Sequence, residues 1–139
     1  MLEPARTLYL ISAALIGLLG AGHLMLLYGG ERLRPRDRSM IEAMQAAELR
    51  ITKQTTLWRA WMGFNASHSL GMLLFGLVYG YLALSTPALL IGPSFLTVLG
   101  LVVLVSYVFL ARSYWFISPL VGTTLALLCY VAAVAASWG

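Results

Sequence analysis

Long apolar segments alternate with shorter polar ones along this chain of 139 residues. Four of the apolar segments are each long enough, at about 20 residues, to cross a lipid bilayer as an α-helix. We therefore predict an all-α fold, an integral membrane four-helix bundle that forms a single transmembrane domain over residues 1–139. The predicted spans are residues 7–28, 60–84, 89–111 and 119–137.

Short polar segments separate the second, third and fourth spans. Ser85, Thr86 and Pro87 predict an uncharged turn between the second and third spans. Ser118 and Pro119 predict the start of the fourth, because Ser favours the N-cap and Pro the first helical position. Such short connections make these three helices antiparallel neighbours.

The connection between the first and second spans is long, and it contains both a charged stretch and an amphipathic one. Residues 31–38 are too highly charged to enter a membrane. Ser39 and Glu42 then have the spacing of a capping box. Apolar residues recur at helical spacing through Met44 and Ile51. This pattern predicts an amphipathic helix over residues 39–57, on the cytoplasmic face of the membrane.

Composition and charge strengthen the membrane interpretation and orient the chain. Hydrophobic residues make up 60% of it and charged residues 10%, against about 25% charged in soluble domains. Eight of the nine Lys and Arg residues lie in or beside the first and third loops, and the other is Arg6. The positive-inside rule then places both loops in the cytoplasm and both termini outside. A nucleic-acid partner is not expected, because no segment predicts a folded soluble module.

Both histidines of the chain lie inside predicted spans. Helix rise places His23 roughly 9 Å and His68 roughly 12 Å from the same membrane boundary. Asn65 precedes His68 by three residues and shares its helix face. Together they predict a cytoplasm-facing polar pocket beneath a more apolar half of the bundle. The further candidate lining residues are Trp61, Met72, Tyr107 and Thr123.

This polar cluster allows several functions. Interhelical hydrogen bonding alone is one interpretation. A pocket for a lipid, quinone or other apolar small molecule is another. A bis-histidine b-type haem held by His23 and His68, a lipid- or isoprenoid-modifying enzyme, and a homo-oligomeric channel or transporter are the remaining alternatives. Our leading hypothesis is a non-enzymatic binding or accessory subunit, with no catalytic residues, no metal site and no cofactor other than the alternative haem.

Membrane lipids are the first expected partners. Arg59 and Arg112 stand at the ends of predicted spans, where long cationic side chains reach lipid headgroups. Glycines at four-residue spacing in the second span favour close packing within the bundle, against another membrane subunit or against a second copy.

The stretch from Trp58 to Gly71, with Gly22 and His23 in the first span, resembles an uncharacterised family of small bacterial four-helix membrane proteins. In outline it is similar to DoxX-like proteins. The resemblance implies a multi-pass protein of the bacterial inner membrane. It also implies an accessory role, since DoxX-like proteins are linked to redox complexes as partner subunits. It implies no catalytic residue.

Overall fold

The computed structural model describes residues 2–138, with no account of the Leu2 side chain, and it is mostly helical. The elements in chain order are α1 (Leu2–Gly29), α2 (Arg38–Ala46), β1 (Glu48–Leu49), β2 (Thr52–Thr56), α3 (Leu57–Ser85), α4 (Phe95–Tyr114) and α5 (Ile117–Trp138). Within the described chain, α1, α3, α4 and α5 are long and apolar enough to cross a membrane. The predicted helical bundle with four spans is confirmed.

The third span starts later than predicted. A 3₁₀ turn occupies Pro87–Leu90, and Gly92 follows with a φ of 73°, a left-handed conformation that glycine adopts without steric cost. Ser94 then caps α4, because its hydroxyl oxygen accepts a hydrogen bond from the amide of Thr97 at 3.1 Å. The apolar residues from position 89 therefore form a turn before the helix.

The fourth span starts slightly earlier than predicted. It begins at Ile117, so Ser118 lies inside the first turn and not at the cap. Pro119 is tolerated there because the first-turn amides of a helix have no intrahelical acceptor.

The amphipathic helix predicted over 39–57 ends at Ala46, and an antiparallel β-hairpin of β1 and β2 follows it. Ala47 has an extended backbone, and its carbonyl accepts a hydrogen bond from the amide of Leu57 at 2.9 Å. β2 contains three threonines, whose branched side chains favour strands over helices. The helix is capped by Asp37 and not by Ser39, since the Asp37 carboxylate accepts from the Ser39 amide at 2.9 Å.

The chain divides into two compact units, and α1 and α3 contribute to both. The first unit contains residues 1–19 and 72–139, and the second contains residues 20–71.

In the first unit, α1 and α3 come so close that their backbones touch. A Cβ atom added to Gly76 would lie 2.8 Å from the Cα of Gly17 and 2.9 Å from the carbonyl oxygen of Ala13. No real Cβ atom approaches backbone so closely. A residue without a side chain is therefore required at position 76. A turn away, a Cβ at Gly80 would meet only the Cβ of Ala13, at an ordinary 3.9 Å.

Three buried tyrosines hold the rest of this unit together. The rings of Tyr9 and Tyr79 pack edge-on against Tyr130, with centroids 5.1 and 5.8 Å away. Each phenol donates to a backbone carbonyl between the 3₁₀ turn and the first turns of α4: Tyr9 to Leu90, Tyr79 to Leu96 and Tyr130 to Thr97, at 3.0, 2.7 and 3.0 Å. The half of the bundle that the sequence indicates is more apolar therefore also contains buried phenol groups.

The outward faces of the four long helices are apolar. Leu18 and Leu77 are each 71% exposed, and Phe95 is 77% exposed. Water would oppose so much exposed hydrocarbon, whereas lipid tails accept it. Together with the four candidate spans, these faces describe a multi-pass membrane protein.

Replacement of Gly76 by Ala should destabilise the protein by about 1–3 kcal/mol, because the α1 backbone must move to accommodate the new methyl group. The matched Gly80→Ala variant should be neutral or gain up to about 1 kcal/mol, since alanine favours helix and has room there. Unfolding of the purified protein in one neutral detergent compares the two. Equal stability of Gly76→Ala and Gly80→Ala would refute the close contact.

The start of α2 should depend on pH. Hydrogen bonds from the Ser39 side chain and backbone hold the pKa of the Asp37 carboxyl below its ordinary value of 3.8. A carboxyl group whose pKa is lower in the folded state stabilises that state while it is ionised. The stabilisation of the α2 cap by Asp37 is therefore present at higher pH and is lost as pH falls through the lowered pKa. The NMR shift of the Ser39 amide should therefore change only below about pH 4. Asp37→Asn keeps a capping oxygen and should abolish that change; a change that persists in this variant would show that Asp37 is not its source.

Candidate functional site

Four of the residues singled out in the sequence lie in the second unit: His23 near the end of α1, and Trp61, Asn65 and His68 in the first half of α3. Asn65 and His68 are one helical turn apart, so they share a face of α3. All four side chains are half-buried. The four residues thus lie in the parts of α1 and α3 that belong to the second unit.

A hydrogen bond joins His23 to Asn65, with 3.1 Å between Nε2 of the ring and Oδ1 of the amide. The other end of the same amide is also engaged, because its Nδ2 donates to the carbonyl oxygen of Trp61 at 2.8 Å. Oδ1 carries no hydrogen, so Nε2 of His23 must be the donor. A neutral His23 is thereby held in the Nε2–H tautomer, which leaves Nδ1 as an acceptor.

His68 packs against His23 with ring centroids 5.6 Å apart and an interplanar angle of 86°. The next residue, Ser69, is fully buried and lies one helical turn after Asn65, to whose backbone carbonyl its hydroxyl donates at 3.0 Å. The exposed Ser67 bonds only to its own helix, at the carbonyl of Gly63. The cluster thus occupies one face of α3, and Ser67 stands outside it.

Trp61 also stacks on Trp58, with ring centroids 5.3 Å apart and an angle of 27° between the planes. Arg59 lies between the two tryptophans in the sequence. Its side chain is exposed, and its backbone amide donates to the Thr56 hydroxyl at 3.4 Å. Paired tryptophans beside an exposed arginine are typical of the level where a helix enters the headgroup region.

The remaining candidates lie in the first unit. Met72 and Thr123 are buried, and Tyr107 is half-buried. The Thr123 hydroxyl donates within α5, to the carbonyl of Pro119 at 2.8 Å. Arg112 is exposed in the last turn of α4, where a cation complements the helix dipole. Their part in ligand or lipid binding stays a prediction.

The chemistry of the cluster is that of two imidazoles and one amide. Among residues 2–138, no group of three or more His, Cys, Asp or Glu side chains is placed to hold a metal ion. The three side chains can donate and accept hydrogen bonds, and the imidazoles can also exchange protons or ligate a haem iron.

Sequence reasoning missed the polar side chains that support the first unit. Tyr9, Tyr79 and Tyr130 form the buried cluster, and Ser12 donates across helices to the carbonyl of Ala126 at 2.8 Å. A signal was present, because these tyrosines lie several residues inside their helices and not at the ends, where interfacial aromatics belong. Their partners are backbone carbonyls, which no residue pattern identifies.

Comparison with known proteins adds no family. No family model matches this chain, nor does any curated protein or solved structure.

Proposed function

We propose that this membrane protein is a non-enzymatic binding or accessory subunit that holds an apolar small molecule, a lipid or a quinone-type compound, by its polar end. The proposed contact residues are His23, Asn65 and His68, with Trp61 beside them. The observation that carries the proposal is the His23–Asn65 hydrogen bond, which engages Nε2 of His23 and so makes Nδ1 the ring atom that we propose for the ligand contact.

That atom defines the chemistry of the ligand. Nδ1 of a neutral His23 accepts hydrogen bonds, so the partner must present a hydroxyl or another donor. A quinol hydroxyl or the alcohol of a lipid headgroup satisfies this requirement at Nδ1. A hydrogen bond from such a donor to Nδ1 would stabilise the bound ligand by about 0.5–1.5 kcal/mol.

The distribution of charge along the chain and its resemblance to other small membrane proteins support the proposed membrane location and orientation. Eight of nine Lys and Arg residues lie in or beside the first and third loops, which favours a cytoplasmic position for both. The proposed site then opens toward the cytoplasmic leaflet of a bacterial inner membrane. The similarity in outline to DoxX-like proteins is compatible with the accessory role that we propose beside another membrane subunit.

A b-type haem held by both histidines is the second candidate, because the two imidazoles lie close together with ring centroids 5.6 Å apart, although the rings would have to separate to admit the macrocycle. It requires His23 either to release Asn65 or to ligate iron through Nδ1. Haem makes a purified sample red, with a Soret absorption band that shifts on reduction, so one spectrum separates the two candidates.

The proposal predicts that the protein co-purifies with a hydroxyl-bearing apolar molecule. Mass spectrometry of lipid extracts, normalised to protein, measures that molecule in the wild type and in variants. His23→Phe keeps an aromatic ring and removes the acceptor, and Asn65→Ala removes the side chain that orients it. Each should lower ligand content by about tenfold, the effect of one lost hydrogen bond of roughly 1.4 kcal/mol.

Ser67→Ala is the matched control, because it removes a polar group from the same helix outside the cluster. It should retain the ligand. Thermal unfolding in the same detergent verifies that each variant is folded. Unchanged ligand content in folded His23→Phe and Asn65→Ala samples would show that the cluster only holds the helices together.

A further inference from the structure

The largest concentration of positive charge surrounds a cavity in the second unit. The cavity has a volume of about 710 Å³ and lies between the end of α1 and the body of α2. Four arginines line it, together with two glutamates, so positive charge exceeds negative charge by two; these residues are Arg32, Arg34, Arg36, Arg38, Glu31 and Glu42. None of them belongs to the histidine cluster.

The arginines are not neutralised by the protein. Among residues 2–138, no carboxylate lies within 4.0 Å of any of the four guanidinium groups, and the one ion pair at that distance joins Arg6 to Glu3. Glu31 and Glu42 share the cavity wall without pairing with them. Each guanidinium therefore keeps its planar fork of N–H donors available, and such a fork matches the oxygens of a phosphate group.

Local structure holds this arginine-rich loop in shape. The amide of Arg34 donates to the carbonyl of Glu31 at 3.0 Å, which closes a turn at the start of the loop. Asp37 caps α2 at the end of the loop, and Pro35 restricts the backbone between these two points. The loop thus presents its arginines from a constrained backbone, which lowers the entropy lost when an anion binds.

The loop also stands beside the membrane. The loop begins directly after α1 ends at Gly29. The segment that connects α1 to α3 ends at Leu57, where α3 begins, and the stacked Trp58 and Trp61 follow. Both helices are candidate spans. Lipid phosphates are the anions present at that level of a bilayer, at far higher local density than any soluble phosphate.

We infer that this cavity is a binding site for the phosphate group of an anionic phospholipid, held by Arg32, Arg34, Arg36 and Arg38. The site is separate from the proposed histidine pocket and does not depend on it. Its ligand is a headgroup at the membrane surface, whereas the histidine cluster lies within the spans.

Native mass spectrometry of the full chain in neutral detergent tests the inference. Phosphatidylglycerol is titrated against phosphatidylcholine, and the affinity for each lipid is read from the bound fraction. The wild type should prefer phosphatidylglycerol. Arg34→Gln with Arg36→Gln should weaken that binding roughly 10- to 30-fold, as expected for the loss of two arginines at an anionic surface.

The matched control is Arg50→Gln with Lys53→Gln, which removes the same charge from the hairpin of the same segment but outside the cavity. It should bind phosphatidylglycerol as the wild type does. Equal losses in the two double variants would overturn the site in favour of diffuse attraction. An absence of preference for phosphatidylglycerol would overturn it as well, and inorganic phosphate binding as tightly as the lipid would exclude a lipid headgroup as the ligand.

Discussion

A hydrocarbon bilayer offers no hydrogen-bond partner, and this constraint organises the polar groups of the four long helices. Each polar side chain in a span must bond inside the protein or face a ligand. In the first unit, tyrosine, serine and threonine hydroxyls in the long helices donate to backbone carbonyls. Tyr79 and Tyr130 bind the start of α4 in the same way. These bonds, with the contact of α1 and α3 at Gly76, define the packing of that unit.

The second unit adds a bond between two side chains. His23 bonds to the amide of Asn65, whose other end donates to the α3 backbone, while Ser67 and Ser69 donate to backbone carbonyls as in the first unit. A hydroxyl needs only one acceptor, but an imidazole always has a second nitrogen to satisfy. Histidine is therefore a costly choice for simple packing. That cost is the physical reason why we propose a ligand for the histidine cluster and only a packing role for the tyrosines.

The sequence predicted the spans well, because hydropathy over 20 residues is a strong signal, and helix rise indicated similar depths for His23 and His68. It failed where local backbone preference competes with periodicity. The stripe through Met44 and Ile51 matched a helix, yet the threonines of β2 favoured a hairpin. It also placed the start of α4 too early, because apolar residues 89–91 belong to a turn closed by Gly92. The sequence did not predict the arginine-lined cavity either. A count of charges does not distinguish the arginines that line the cavity from those elsewhere in the segment, and the turn and the helix cap that bring them together are features of the backbone.

The central claim is that the amide of Asn65 fixes the tautomer of His23 within the membrane. Solid-state ¹⁵N NMR of the histidine-labelled protein in lipid bilayers measures this directly, since protonated and unprotonated ring nitrogens have well-separated shifts. For the neutral imidazole of His23, the account predicts a protonated Nε2 and an unprotonated Nδ1. The Asn65→Ala variant should show a mixture of tautomers. A protonated Nδ1 beside a bare Nε2 in the wild type would contradict the account.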